Sequence, residues 1–289
     1  MNLPYIATAS IAISAFLVAS LQDVRDREVS DVLWIISGSA GVAISIGLAV
    51  SVGAQPLQLL AASLPAFLFI DMFVDWNSLM GRSGQILRFS AGGLCAAFTL
   101  LSVYSFPYGQ VSDLFASESL WILFILLLFY LDIIRGGADA KALAAIVLLF
   151  PAYPTPVIGR IPPAFESFTF PFFLNVLLIA AVISAFVSVY LFLRNAIRGD
   201  YSMPYMFLGK KKEVSNVKLQ KEWLLEIPDE NGNPVRVRKL GSISDSEALR
   251  RAVAFGWKNV WVSPKVPFIV PITVGLLVTL VIGSVIVYL

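Results

Sequence analysis

Eight stretches of this chain are apolar over a length that crosses, or nearly crosses, a bilayer: 4–22, 32–52, 59–76, 89–106, 119–135, 139–153, 171–194 and 267–289. A hydrocarbon layer about 30 Å thick is crossed by about 20 apolar residues in a helix. Inside lipid, backbone N–H and C=O groups find partners only within helices or closed barrels. Runs of this length predict an all-α polytopic membrane protein with about eight transmembrane helices. The run at 139–153 is the shortest and ends at Pro151. Composition agrees: 58% of the 289 residues are hydrophobic and 14% charged, with a mean hydropathy of +0.81. The first apolar run has no basic leader before it and reads as a retained helix rather than a removed signal peptide.

Charge placement orients the bundle. With the N-terminus outside, the loops 23–31, 77–88 and 135–141 and the long segment 195–266 are cytoplasmic, and every Lys and Arg except Arg160 falls inside. The opposite orientation exports almost all of them, so the positive-inside rule selects the first. Gly38, Gly41, Gly47, Gly92 and Gly93 read as close-packing positions between helices.

Residues 196–266 break the apolar pattern and predict a small cytoplasmic α+β module between a transmembrane bundle (1–195) and a last transmembrane helix (267–289). Trp223 to Ile227, then Asp229-Glu230-Asn231-Gly232-Asn233, then Val235 to Arg238 reads as a β-hairpin, its Asn-Gly suited to positive φ. Ser244-Asp245-Ser246-Glu247 is a capping box for a helix that Gly256 ends, and Val260-Trp261-Val262 reads as a strand. Lys210-Lys211-Lys212 is read as an anchor on the surface of anionic lipid. No aromatic interleaving points to nucleic acid.

Carboxylates carry the candidate chemistry. The chain has no histidine, which excludes Ser-His-Asp and Cys-His catalysis and the paired-histidine zinc helix. Its single cysteine, Cys95, can form neither an internal disulfide nor a cysteine zinc site. No metal or cofactor is expected. Asp23, Asp71, Asp75, Asp132 and Asp139 all map to the cytoplasmic half. Asp139 follows Gly136-Gly137-Ala138 at the junction of two apolar runs, where a carboxylate is costly unless solvated, paired or used. The glycines are read as removing bulk so that a substrate backbone can approach. Asp71 and Asp75, four apart, are expected to share a helix face, with Asp71 paired to Arg82 or Arg88. Two carboxylates that meet share a proton, one serving as base toward water and the other as donor to a carbonyl oxygen.

The stretch Asp23-Val24-Arg25-Asp26-Arg27-Glu28-Val29-Ser30-Asp31-Val32-Leu33-Trp34, together with Gly136-Gly137-Ala138-Asp139-Ala140-Lys141 and the tail Val260 to Phe268, resembles the archaeal preflagellin and type IV prepilin peptidases, membrane aspartic proteases of the Gly-x-Gly-Asp type. The resemblance implies that Asp23 and Asp139 are the catalytic pair and that Gly136, Gly137 and Ala138 present Asp139. It also implies an endopeptidase that removes the basic leader of archaellin or pilin-like precursors at the cytoplasmic membrane face, with those precursors and the bilayer as partners. Ala138 stands where the motif has its second glycine. Six helices are usual for such proteins, so the eight expected here divide into six core and two extra. Asp26, Glu28 and Asp31 are candidates for attracting the basic leader. An ion- or proton-coupled transporter is the alternative, although no mirrored repeat relates the two halves.

Overall fold

A computed structural model describes residues 3–106, 110–134, 136–151, 171–237 and 245–284. The chain forms two compact units, Met1–Ala180 with Phe268–Leu289, and Ala181–Pro267.

The first unit is helical. It contains α1 (Leu3–Asp26), α2 (Asp31–Ser51), α3 (Pro56–Leu60), α4 (Ser63–Asp71), α5 (Trp76–Ser105), α6 (Gln110–Tyr130), α7 (Gly137–Leu149), the start of α8 (Phe172–Arg198) and α11 (Ile269–Ile282). Five helices among the described residues, α1, α2, α5, α6 and α8, are long and apolar enough to cross a membrane. The other three apolar runs become the shorter α3–α4 stretch, α7 and α11.

The short run turns out to be the centre. In α7, Ala140 and every residue from Ala142 to Leu149 are buried, against α2, α6, α1, α4 and α11. A helix that is apolar all round is stable only when enclosed, and enclosure removes the need for 20 residues: 13 residues rise only about 20 Å. Lipid supplies no hydrophobic drive between helices, so close backbone approach and dispersion hold them. Gly41 of α2 illustrates this, since a Cβ there would lie 2.6 Å from the Leu148 carbonyl of α7. Phe16 and Trp34, both fully buried, meet edge to face at 5.1 Å between α1 and α2.

Two expectations are corrected. Residues 77–88 are not a loop: α5 starts at Trp76, because Asp75 caps it by accepting from the N–H groups of Asn77 and Ser78. The helix breaks only at Gly81, whose φ of 55° and ψ of −132° suit a residue without Cβ. Asp71 and Asp75 consequently do not share a helix face, since one ends α4 and the other opens α5. Of the two arginines offered to Asp71, Arg88 takes it in a fork, Nε to Oδ1 at 2.8 Å and Nη2 to Oδ2 at 2.7 Å. Trp76 Nε1 also donates to Oδ1.

The second unit holds the rest of α8, α9 (Tyr205–Leu208), α10 (Asp245–Ala254) and five strands: β1 (Lys210–Glu213), β2 (Glu222–Leu224), β3 (Glu226–Pro228), β4 (Pro234–Arg236) and β5 (Asn259–Pro264). An antiparallel sheet of order β1-β5-β2 and a separate β3-β4 hairpin result. The expected hairpin is thus shorter than read. Gly232 takes φ +81° in its turn, while Trp223 and Leu224 pair with β5 instead. Strand alternation divides β5 between two cores: Val260 and Val262 join Val214, Leu224 and Ala248, whereas Trp261 joins Met206 and Leu225. Gly256 does follow the end of α10, at φ +72°. Ser244, the first residue of the expected capping box, lies outside the described residues.

The lysine run is also corrected. Lys210 and Lys212 are not free for lipid: both reach the buried Glu222, at 2.9 and 2.8 Å, because a strand sends alternate residues to one face. The Lys218 N–H donates to Glu222 as well. Burial alone raises the Glu222 carboxyl, but these donors outweigh it and hold the group below its ordinary value. The stabilisation is complete above the ordinary glutamate range and is lost as pH falls through the lowered folded value. Glu222→Gln is therefore expected to cost about 1–3 kcal/mol at neutral pH and to flatten the acid dependence. Hydrogen exchange of the β1 and β5 amides between pH 7 and pH 3 checks both.

Candidate functional site

Asp23 lies in the last turn of α1 and Asp139 in the first turn of α7, two helix ends that the bundle brings together. The two helices that carry these residues pack against each other. Each carboxylate is held by a different device.

Asp23 is held from the far end of the sequence. Its Oδ2 accepts the N–H of Ile269 at 3.2 Å, the first residue of α11. The N-terminal N–H groups of a helix have no partner within it, and the N-cap residue Phe268 supplies no side-chain bond. The α1 carboxylate serves that need. Arg27 follows one turn later at φ +62°, and its positive charge acts on the same carboxylate.

Asp139 is held by its own motif. Gly136 is the N-cap of α7 and accepts from the Asp139 and Ala140 N–H groups at 3.1 and 3.2 Å. Its φ of −89° and ψ of 122° are open to any residue, so conformation does not require glycine there. Space does: a Cβ on Gly136 would overlap Oδ2 of Asp139. A Cβ on Gly137 would meet nothing within 4 Å. The glycine room expected to admit a foreign backbone is, at Gly136, filled by Asp139 itself. Ala138 sits inside the helix with no positive φ, so an alanine as third letter is geometrically comfortable. As the third helical residue, Asp139 is also favoured by the helix dipole.

Around this pair, Asp31 at the start of α2 accepts from Lys141 Nζ at 2.7 Å, and the same ammonium lies 4.5 Å from the centre of the Phe73 ring. Of the three acidic residues considered for a basic leader, Asp31 is therefore already engaged. Asp26 and Glu28 are exposed, Asp26 with only a 3.6 Å pairing to its neighbour Arg25. Among the other acidic residues, Asp71 is committed to Arg88, Asp75 caps α5, and Asp132 stands at φ +57° in the turn after α6. Sequence reasoning missed Glu118, a fully buried carboxylate on α6 that accepts from Ser45 at 3.0 Å. Its only cue is an acidic residue in an apolar run. Among the described residues, no group of three or more acidic or cysteine side chains is arranged to hold a metal.

Comparison with known proteins now bears on the site. Residues 201–285 match the family described as Archaeal Peptidase A24 C-terminus Type II. A preflagellin peptidase of Methanococcus voltae is 27% identical over 215 residues, covering 70% of this chain and 88% of the relative. One of Methanococcus maripaludis is 22% identical over 274 residues, covering 93% and 91%. One of Methanocaldococcus jannaschii is 30% identical over 155 residues, covering 52% and 63%. Over these spans the chain is similar to archaeal preflagellin peptidases. The matched C-terminal segment, residues 201–285, includes α11, whose first N–H reaches Asp23.

In this preflagellin-peptidase relative, Lys141 joins α7, α2 and the residues after α4 next to Asp139. Lys141→Met is expected to lower stability by about 1 kcal/mol, read as a lower unfolding midpoint in detergent. Adding Asp31→Asn to it should cost little more, because the two changes remove one contact.

Proposed function

We propose that the protein is a membrane aspartic endopeptidase that removes basic leader peptides from preflagellin and related pilin-like precursors. The reading is carried by one observation, that the end of α1 bearing Asp23 and the start of α7 bearing Asp139 belong to two helices packed against each other, in a chain without histidine. Similarity to preflagellin peptidases supports the substrate class.

In the reaction, one carboxylate of the pair is ionised and the other protonated, since two adjacent negative charges are unfavourable. The ionised member takes a proton from a water molecule, whose oxygen attacks the scissile carbonyl carbon. The protonated member gives its hydrogen to the carbonyl oxygen. Collapse of the tetrahedral intermediate breaks the C–N bond, and a proton passes to the departing nitrogen. The products are a free carboxylate on the leader and a free amine on the mature protein.

The charge distribution supports an extracytoplasmic N-terminus and a cytoplasmic site and module. A substrate with a basic leader and an apolar helix then meets the dyad at the membrane face with its helix already in lipid. The exposed Asp26 and Glu28 lie on the connection leaving Asp23 and suit the attraction of that leader.

The decisive test is cleavage of co-expressed preflagellin. Asp23→Asn and Asp139→Asn are each expected to lower the rate by about 10²–10⁴-fold; wild-type cleavage by either variant removes the dyad. The glycines give a finer test. Gly136→Ala should lose about 10–100-fold by displacing the Asp139 carboxylate, while Gly137→Ala, with open space at its Cβ, should stay within about twofold of wild type. Equal losses at both positions would mean that helix propensity, not room for Asp139, explains the motif. For the leader, Asp26→Asn combined with Glu28→Gln should raise KM at low salt and have a smaller effect at about 0.5 M salt, where the screening length is only a few Å. An unchanged KM at both salt concentrations would exclude these two residues from leader attraction.

A further inference from the structure

The Ile269 N–H reaches Asp23 only if α11 stands at one particular height along α1. That height is set one turn away from the carboxylate. Ser20 Oγ and Thr273 Oγ1 are 2.7 Å apart. Ser20 precedes Asp23 by three residues and Thr273 follows Ile269 by four, so the contact repeats the Asp23–Ile269 contact one turn deeper between antiparallel helices. Thr273 Oγ1 lies 3.2 Å from the Phe16 carbonyl of α1 and 2.9 Å from the Ile269 carbonyl. A hydroxyl has a single hydrogen, so Thr273 donates to one of these carbonyls and can accept from Ser20.

Thr273 is only 5% exposed. A polar side chain at such a position has no water to fall back on, and its bonds are correspondingly costly to lose. Toward its C-terminal end α11 is attached separately to α8, where Gly275 leaves room for the Val176 carbonyl and Asn175 Nδ2 donates to Thr279 Oγ1 at 2.9 Å. That second set of contacts does not touch α1.

We infer that Ser20 and Thr273 form a positioning clasp that sets the height of the α11 N-terminus against α1 and thereby aims the Asp23 carboxylate. The inference rests on the reading of Asp23 as a catalytic carboxylate. Neither Ser20 nor Thr273 contacts substrate; they act through Asp23. Displacement of a reacting group by about 1 Å can cost on the order of 100-fold in rate while leaving substrate binding in place, so the clasp belongs to kcat rather than KM.

The test measures preflagellin cleavage by the full-length protein in lipid, with Thr273→Val, Thr273→Ser, Ser20→Ala and the Ser20→Ala/Thr273→Val double variant. Thr273→Val is expected to lower kcat by about tenfold or more with KM within about twofold, and Thr273→Ser, which keeps the hydroxyl, to restore most of it. The double variant should be no slower than Thr273→Val alone, as for two partners in one contact. Thr279→Val supplies the comparison: it removes a buried bond of the same helix to α8, and should lower the unfolding midpoint while leaving kcat unchanged. Wild-type kcat in Thr273→Val, with Asp23→Asn inactive, overturns the clasp and leaves the dyad standing. An equal kcat loss in Thr279→Val also overturns it, because general loosening of α11 then explains the effect. Wild-type cleavage by Asp23→Asn removes the dyad and the clasp together.

Discussion

Enclosure of α7 is the constraint on which the bundle depends. Its residues from Ala142 to Leu149 offer no polar face, so this helix cannot lie at a boundary with water. Its small side chains, Ala140, Ala142, Ala144 and Ala145, make a thin rod that neighbouring backbones approach closely. The absence of a Cβ at Gly41 is the same requirement seen from α2. Once α7 is central, its first turn has to emerge among the ends of the surrounding helices. Asp139 sits in that turn, and the end of α1 brings Asp23 to it.

The two aspartates are positioned by opposite strategies. Asp139 is presented locally: N-cap, backbone bonds and room for the carboxylate all come from Gly136, three residues away. Asp23 is presented globally, by a backbone donor 246 residues distant. A pair of carboxylates held in these two ways has one member tied to its motif while the other answers to helix packing.

Much of this was legible in the sequence because the bilayer leaves so few choices. Apolar runs, the position of the polar module before the last helix, and the Asn-Gly turn follow from periodicity and turn chemistry alone. The boundaries that failed did so for local reasons. Asp75 is a strong N-cap, and it draws residues 77–88 into α5 where charge suggested a loop. The lysine run looked like a surface feature because its partner Glu222 lies ten residues or more away, and only the β1-β5-β2 sheet brings them together. At the candidate site, Asp139 drew attention by its junction position and Asp23 by the family resemblance. The contacts beside them were less legible: Gly136, named with its motif, acts through space rather than conformation, and Thr273 is one more hydroxyl in an apolar helix, a residue type that most often bonds its own preceding turn.

The bond from Ile269 to Asp23 also orders events during synthesis. A chain made from its N-terminus places α1 in the membrane long before α11 exists, so Asp23 waits through the insertion of every intervening helix without the donor that orients it. The polar module, too, is translated before Ile269. The bond between Ile269 and Asp23 is accordingly among the later contacts of the first unit to form. Contacts this distant in sequence are reached late because the loop between them has to close first. If the two aspartates act as proposed, a nascent chain carries both in the bilayer before it can align them, a built-in delay between insertion and hydrolytic competence.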